Sequence, residues 1–144
     1  MTYYVTEIAK YIITYCSNKK RPISNLKLQK LLYFLWIDYF KKNNCSLFNE
    51  NICAWQFGPV VPEVYYEFCS YAGSPINKIY DIVIYNQNDS VIINNLIDKY
   101  IEFSASKLVE MTHKAFKPWS IIYNNGAGLR NIIPFDLIVS MECQ

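Results

Sequence analysis

One histidine, His113, is all the imidazole in 144 residues, and that scarcity limits any catalytic reading. A serine or cysteine nucleophile needs a nearby base and a third group to orient that base, most often His with Asp or Asn. Only His113 can fill the place, with a cysteine such as Cys69 as nucleophile, and a lone histidine is ordinarily a structural hydrogen-bonding residue. Phosphate-cradling loops of the G-x-x-x-x-G-K-[ST] or G-x-G-x-x-G kind are missing, as are H-E-x-x-H and any carboxylate cluster at metal-ligand spacing. The five cysteines, Cys16, Cys45, Cys53, Cys69 and Cys143, are odd in number, widely spaced and without a C-x-x-C pair. Neither a zinc site nor a disulfide framework is expected, and the thiols read as small apolar residues. The sequence therefore predicts no enzyme, no metal and no cofactor.

Long apolar runs are also lacking. The strongest candidate, "LKLQKLLYFLWIDYF", carries Lys27, Lys30 and Asp38, so no segment reaches the ~20 apolar residues of a membrane span. The N-terminal "MTYYVTEIAKYIITYC" mixes acid and base into its apolar stretch and lacks a signal-peptide layout, which predicts a cytoplasmic protein. Basic runs stop at "KKR", residues 19–21. Charge is nonetheless uneven: residues 1–50 hold eight Lys and Arg against three acids, net +5, and residues 51–144 hold six against nine, net −3. "SNKKRPIS" joins two predicted helices, but the second is too apolar to present a polar reading face to DNA, so no direct nucleic-acid binding is expected.

What the sequence does have is apolar and aromatic content, 52% and 17%, with 13 Tyr and 8 Phe against 18% charged residues. A chain of this size can bury roughly two-thirds of its unfolded surface, enough for one core. Val5, Ile8, Ala9, Ile12, Ile13 and Cys16 recur at helical spacing and predict a first helix. Pro22 breaks it, Ser24 or Asn25 caps the next, and Leu28, Leu31, Leu32, Leu35 and Tyr39 form that helix's core face. Tyr33, Trp36, Ile37 and Phe40 add a second apolar face, leaving Lys27, Lys30, Asp38 and Lys41 a narrow polar stripe. This should be the central helix.

"NICAWQF" alternates as a short strand, with Trp55 and Phe57 packing one side inward, Gly58-Pro59 turning the chain and Pro62 opening a third helix that ends near Gly73. "IYDIVIY" reads as the second strand. Two further helices follow, with Ser104 as a cap between them, then the loop "NNGAGLRN" and a last short helix with Pro134 in its first turn. The expected fold is mainly α: a compact single-domain bundle, residues 1–144, of about six helices with a minor β-hairpin.

Three blocks, "LKLQKLLYF" at 26–34, "ICAWQFGPVVPEVYYEF" at 52–68 and "LVEMTHKAFKPW" at 108–119, resemble the signature of the Panacea domain, an antitoxin domain also known from phage-associated proteins. The pattern falls on Gln29, Lys30 and Tyr33, on Trp55, Gly58, Pro59, Val60, Pro62 and Tyr65, and on Thr112, His113, Pro118 and Trp119. The resemblance implies a small, helical, non-enzymatic protein that neutralises a cognate toxin, often one encoded beside it, by direct contact. One branch of the family acts instead as an adaptor delivering its toxin to a protease, and the alternative function is that of a prophage-encoded regulatory or proteolytic adaptor delivering a client to a host protease. Members commonly carry an acid before the Pro-Trp pair and a base soon after it; here Lys117 precedes the pair and no base follows closely.

In physical terms, Gln29 on the most buried helix needs hydrogen-bonding partners and is expected to brace the Gly58-Pro59 corner. Trp55, His113 and Trp119 are expected to meet in one aromatic cluster. "WQFGPVVP" then reads first as a fold corner, the scaffold beside a binding surface. Candidates for that surface are Tyr65, Tyr66 and Tyr71, or an unpacked side of Trp36 and Phe40.

Overall fold

The computed structural model describes residues 2–144. The first helix, α1 (Val5–Asn18), buries the stripe that its spacing predicts. Ser24 opens α2 (Asn25–Asn43), its hydroxyl accepting the Lys27 amide at 3.2 Å, and Asn44 closes it in the left-handed conformation. Twelve of the nineteen α2 residues are buried, so this helix is the axis of the molecule. Against it pack α1, the hairpin, α3 (Pro62–Glu67), α4 (Gln87–Ile101), α5 (Ala105–Thr112) and α7 (Phe135–Glu142), while α6 (Pro118–Tyr123) lies against α7 and the hairpin. Among the described residues there are seven α-helices, in keeping with the expected bundle of about six. The additional one is α6, a six-residue helix opened by Pro118 and too short to show a period.

The hairpin differs from expectation in a more instructive way. Strand β1 (Cys53–Trp55) pairs antiparallel with β2 (Gly58–Val60), not with residues 79–85. Gln56 and Phe57 make the turn, and Gly58-Pro59, expected to be the turn, is strand. Phe57 consequently points out, 57% exposed, instead of packing inward. Proline is tolerated in β2 because the strand is an edge and Pro59 has no amide to pair. The other edge of β1 is closed by residues 130–133: the Ala54 amide donates to the Asn131 carbonyl at 2.8 Å, and the Ile133 amide to that of Ile52 at 2.8 Å.

Residues 77–86 form no regular element. The Lys78 and Tyr80 amides donate to the Ser17 and Thr14 hydroxyls of α1, so the segment lies on α1 as a strap, with Ile84 buried and Ile79, Val83 and Tyr85 exposed. Further on, α3 ends at Glu67 and a 3₁₀ turn covers Cys69–Tyr71, so the helix stops short of Gly73.

The abundance of tyrosine has a structural use. Tyr3 and Tyr39 both donate to Asp89 in the first turn of α4, Tyr11 to Asn94, Tyr15 to Asp98, Tyr100 to Asp38 and Tyr33 to Glu142. Each ring fills apolar space while its hydroxyl ties one helix to another or, for Tyr3, the segment before α1 to α4. Burial, reinforced by the neighbouring carboxylates, pushes the hydroxyls of Tyr3, Tyr39 and Tyr100 upward in pKa, so they stay protonated donors. No helix among the described residues is long and apolar enough to cross a membrane.

Candidate functional site: the signature corner and its cleft

The α2 residues that face the hairpin are polar and buried. Asn25 Nδ2 donates to the Tyr65 carbonyl at 3.1 Å and accepts, through Oδ1, from Gln29 Nε2 at 3.0 Å. Gln29 Oε1 in turn accepts the Val61 amide at 2.9 Å, just where β2 passes into α3. Gln29 thus braces the start of α3, and the strand itself is held by Lys30, whose ammonium donates to the Pro59 carbonyl at 2.8 Å. Lys30 is 0% exposed, so the polar stripe expected on this side of α2 does not include it. An amine can be buried here because the Pro59 carbonyl, on an edge strand, has no strand partner of its own and accepts the donor.

Burial depresses the Lys30 amine to about 7, with no carboxylate compensating. The space around it is closed by Gly58, whose φ of +112° suits glycine alone. A Cβ there would stand 2.7 Å from Thr112 Oγ1 and 2.9 Å from Lys30 Cε. Thr112, at the end of α5, donates its hydroxyl back to the Val109 carbonyl at 2.7 Å.

His113 is the C-cap of α5 and lies just outside the helix. Its ring stacks on Trp119 with centroids 3.8 Å apart and planes 4° from parallel, and Trp119 stacks in turn on Tyr123 at 4.5 Å. Trp119 Nε1 donates to the Trp55 carbonyl at 2.8 Å, pinning α6 to β1. The expected aromatic cluster therefore forms between His113 and Trp119, but Trp55 joins through its backbone while its ring turns away. His113 Nε2 is buried and makes no hydrogen bond, so it is not paired with a cysteine or serine. Desolvation, with the Lys30 charge adding to it, lowers the His113 pKa from its usual range.

The remaining signature positions fall into place around this corner. Val60 and Pro118 are buried, Tyr33 reaches α7 through Glu142, and Pro62 occupies the first turn of α3. Of the surfaces considered from sequence, the Trp36 and Phe40 side leaves Trp36 no exposed face, with half-buried Phe40 beside a surface pocket of about 300 Å³. Trp36 is fully buried, stacked between Phe40 and Phe135, with Nε1 donating to the Phe48 carbonyl at 3.0 Å. Tyr71 packs on Phe68, whereas Tyr66 is largely exposed.

On the outer side of the corner, the Trp55 ring packs on Tyr65 at 4.9 Å and on Tyr66 at 5.9 Å. The Arg130 guanidinium lies over the same indole, 4.8 Å from the ring centroid. Trp55, Tyr65, Leu26, Phe57, Leu129 and Arg130 line a surface cleft of about 410 Å³. Phe57 and Leu129 are 57% and 49% exposed at its rim. Sequence reasoning missed Leu129 and Arg130, which sit in the loop "NNGAGLRN". What brings them here is long-range: the Arg130 amide donates to the Ala54 carbonyl at 2.6 Å.

Compared with known proteins, residues 28–120 match the model of the antitoxin SocA-like, Panacea domain family. The chain belongs to that family. The match starts within α2 and ends within α6, so it takes in Gln29, Lys30, the hairpin, Thr112, His113 and Trp119, while Asn25, Leu26, Leu129 and Arg130 lie outside it. Antitoxin SocA of Caulobacter vibrioides (strain NA1000 / CB15N) is 36% identical over 128 aligned residues, covering 76% of this chain and 67% of the relative. No solved structure matches. The base that Panacea members commonly show soon after the Pro-Trp pair is absent here; Arg130 is the cation that lies over Trp55, whose carbonyl Trp119 holds.

Proposed function

We propose that this Panacea antitoxin neutralises a cognate toxin by direct protein contact and without catalysis. The family match across residues 28–120 carries the reading. The physical state of the corner supports it. Lys30, whose amine burial lowers to about 7, is sealed behind Gly58 and committed to the Pro59 carbonyl, and His113 Nε2 engages no nucleophile. Beside that sealed corner lies an aromatic, cation-rimmed cleft of the composition that protein interfaces favour, in which Tyr, Trp and Arg carry most of the binding energy.

Co-expression with the product of the adjacent open reading frame tests this. Growth should be restored, and the two chains should co-purify with the toxin intact. Restored growth with accelerated loss of the toxin would instead assign the chain to adaptor work with a host protease. Absence of both rescue and complex would overturn the reading.

A further inference from the structure

We propose that the Trp55–Arg130 cleft is the toxin-docking site and that it receives an apolar side chain of the toxin flanked by an aspartate or glutamate. This rests on the direct-contact reading above and deepens it. The lining is mainly apolar, from Leu26, Trp55, Phe57, Tyr65 and Leu129, with Asn25 and Gln56 as uncharged polar members and no acidic residue. Arg130 is the one cation among the described residues that line it. Among the described residues Arg130 faces no carboxylate within ion-pair distance; its only side-chain hydrogen bond is to the Tyr66 hydroxyl at 3.4 Å. That sets it apart from Arg21, which is held to Glu102.

Lying over Trp55, the guanidinium is held in place with most of its donors still available, and a planar fork of donors is matched by a carboxylate. The apolar surface and the single unpaired cation thus specify a partner of complementary chemistry: one greasy anchor and one anion. Rigidity adds to the fit. Trp55 is fixed through its carbonyl to Trp119, Tyr65 through its carbonyl to Asn25, and Arg130 through its amide to Ala54, so the cleft is formed before the partner arrives.

The test is a binding titration of the purified chain with the purified product of the adjacent open reading frame, for wild type, Arg130→Glu, Arg130→Lys, Leu129→Asp and, on the distant strap, Tyr85→Asp. All three positions are exposed, and thermal melts confirm the fold of each variant. Arg130→Glu and Leu129→Asp should each weaken binding by about a hundredfold, Arg130→Lys by less than about tenfold, and Tyr85→Asp hardly at all. Added salt should weaken wild type more than Arg130→Glu.

If wild type binds and the cleft variants bind equally well, the cleft assignment is overturned while direct contact stands. If wild type does not bind, the direct-contact reading falls and the assignment with it. If the chain alone self-associates and Arg130→Glu dissolves that dimer without affecting toxin binding, the occupant is a second copy, and the assignment is likewise overturned.

Discussion

The two sides of the β-hairpin are built on opposite principles. The inner side is polar and dry: Asn25, Gln29 and Lys30 spend their hydrogen-bonding groups on the Tyr65, Val61 and Pro59 backbones, behind a glycine with no room for a Cβ. The outer side is apolar and open, with Trp55, Phe57, Leu129 and an uncommitted Arg130 at the surface. One short stretch, residues 55–62, serves both. Buried polar groups are costly unless fully paired, so the inner side specifies one geometry, and that geometry holds the outer side in shape.

Four substitutions sharpen or break this contrast. Gly58→Ala should have the largest effect, because it combines an unfavourable φ of +112° with contacts at 2.7 and 2.9 Å. A loss of about 3 kcal/mol or more is expected in urea unfolding; a loss below about 1 kcal/mol would mean the corner is not tightly closed.

Lys30 comes next, read through pH. Its amine is depressed to about 7 in the folded chain, so between that value and the unfolded value near 10.5 the unfolded chain binds the extra proton. Stability should therefore rise with pH above 7, by about 2 kcal/mol between pH 7 and 8.5. Lys30→Met should flatten that rise. His113, also depressed, acts in the same sense but below its ordinary pKa of 6.5, outside this window. Cys16, pushed up to about 12 by burial, acts in the opposite sense only above about 9.

Trp119→Phe keeps a ring against His113 but leaves the Trp55 carbonyl without its donor, and should lower stability by about 1 to 2 kcal/mol. The smallest effect should come from the outer side. Arg130→Glu should change stability by no more than about 0.5 kcal/mol in the same assay, since the side chain is exposed and bonded within the chain only to Tyr66. An equal loss at Gly58 and Arg130 would erase the distinction between the two sides.

Much of the architecture was legible in the sequence, for identifiable reasons. The α1 stripe, the Ser24 and Ser104 caps and Pro62 at the start of α3 are local signals, and the structure follows them. The hairpin was misread because Gly58-Pro59 has the composition of a turn. Its role as strand depends on Lys30, 29 positions away, satisfying Pro59. The same contact explains why Lys30 was assigned to a polar stripe: nothing local distinguishes a lysine that reaches a buried carbonyl from one that reaches water. "IYDIVIY" has strand composition but finds hydroxyls on α1 where a strand would find a partner. At the candidate site, Asn25 was legible only as a helix cap, while Gln29, Lys30, Gly58 and Thr112 were visible through the family resemblance. Arg130 was not, because it enters on a loop whose position is set by a backbone bond to β1.

The most direct measurement of the central claim is stoichiometry. Toxin activity in a purified assay is titrated with increasing amounts of this chain. Direct binding predicts a linear fall to full inhibition at a fixed molar ratio, reversed when the complex is separated. Silencing of a large molar excess of toxin by a small amount of the chain would demonstrate turnover and contradict neutralisation by binding.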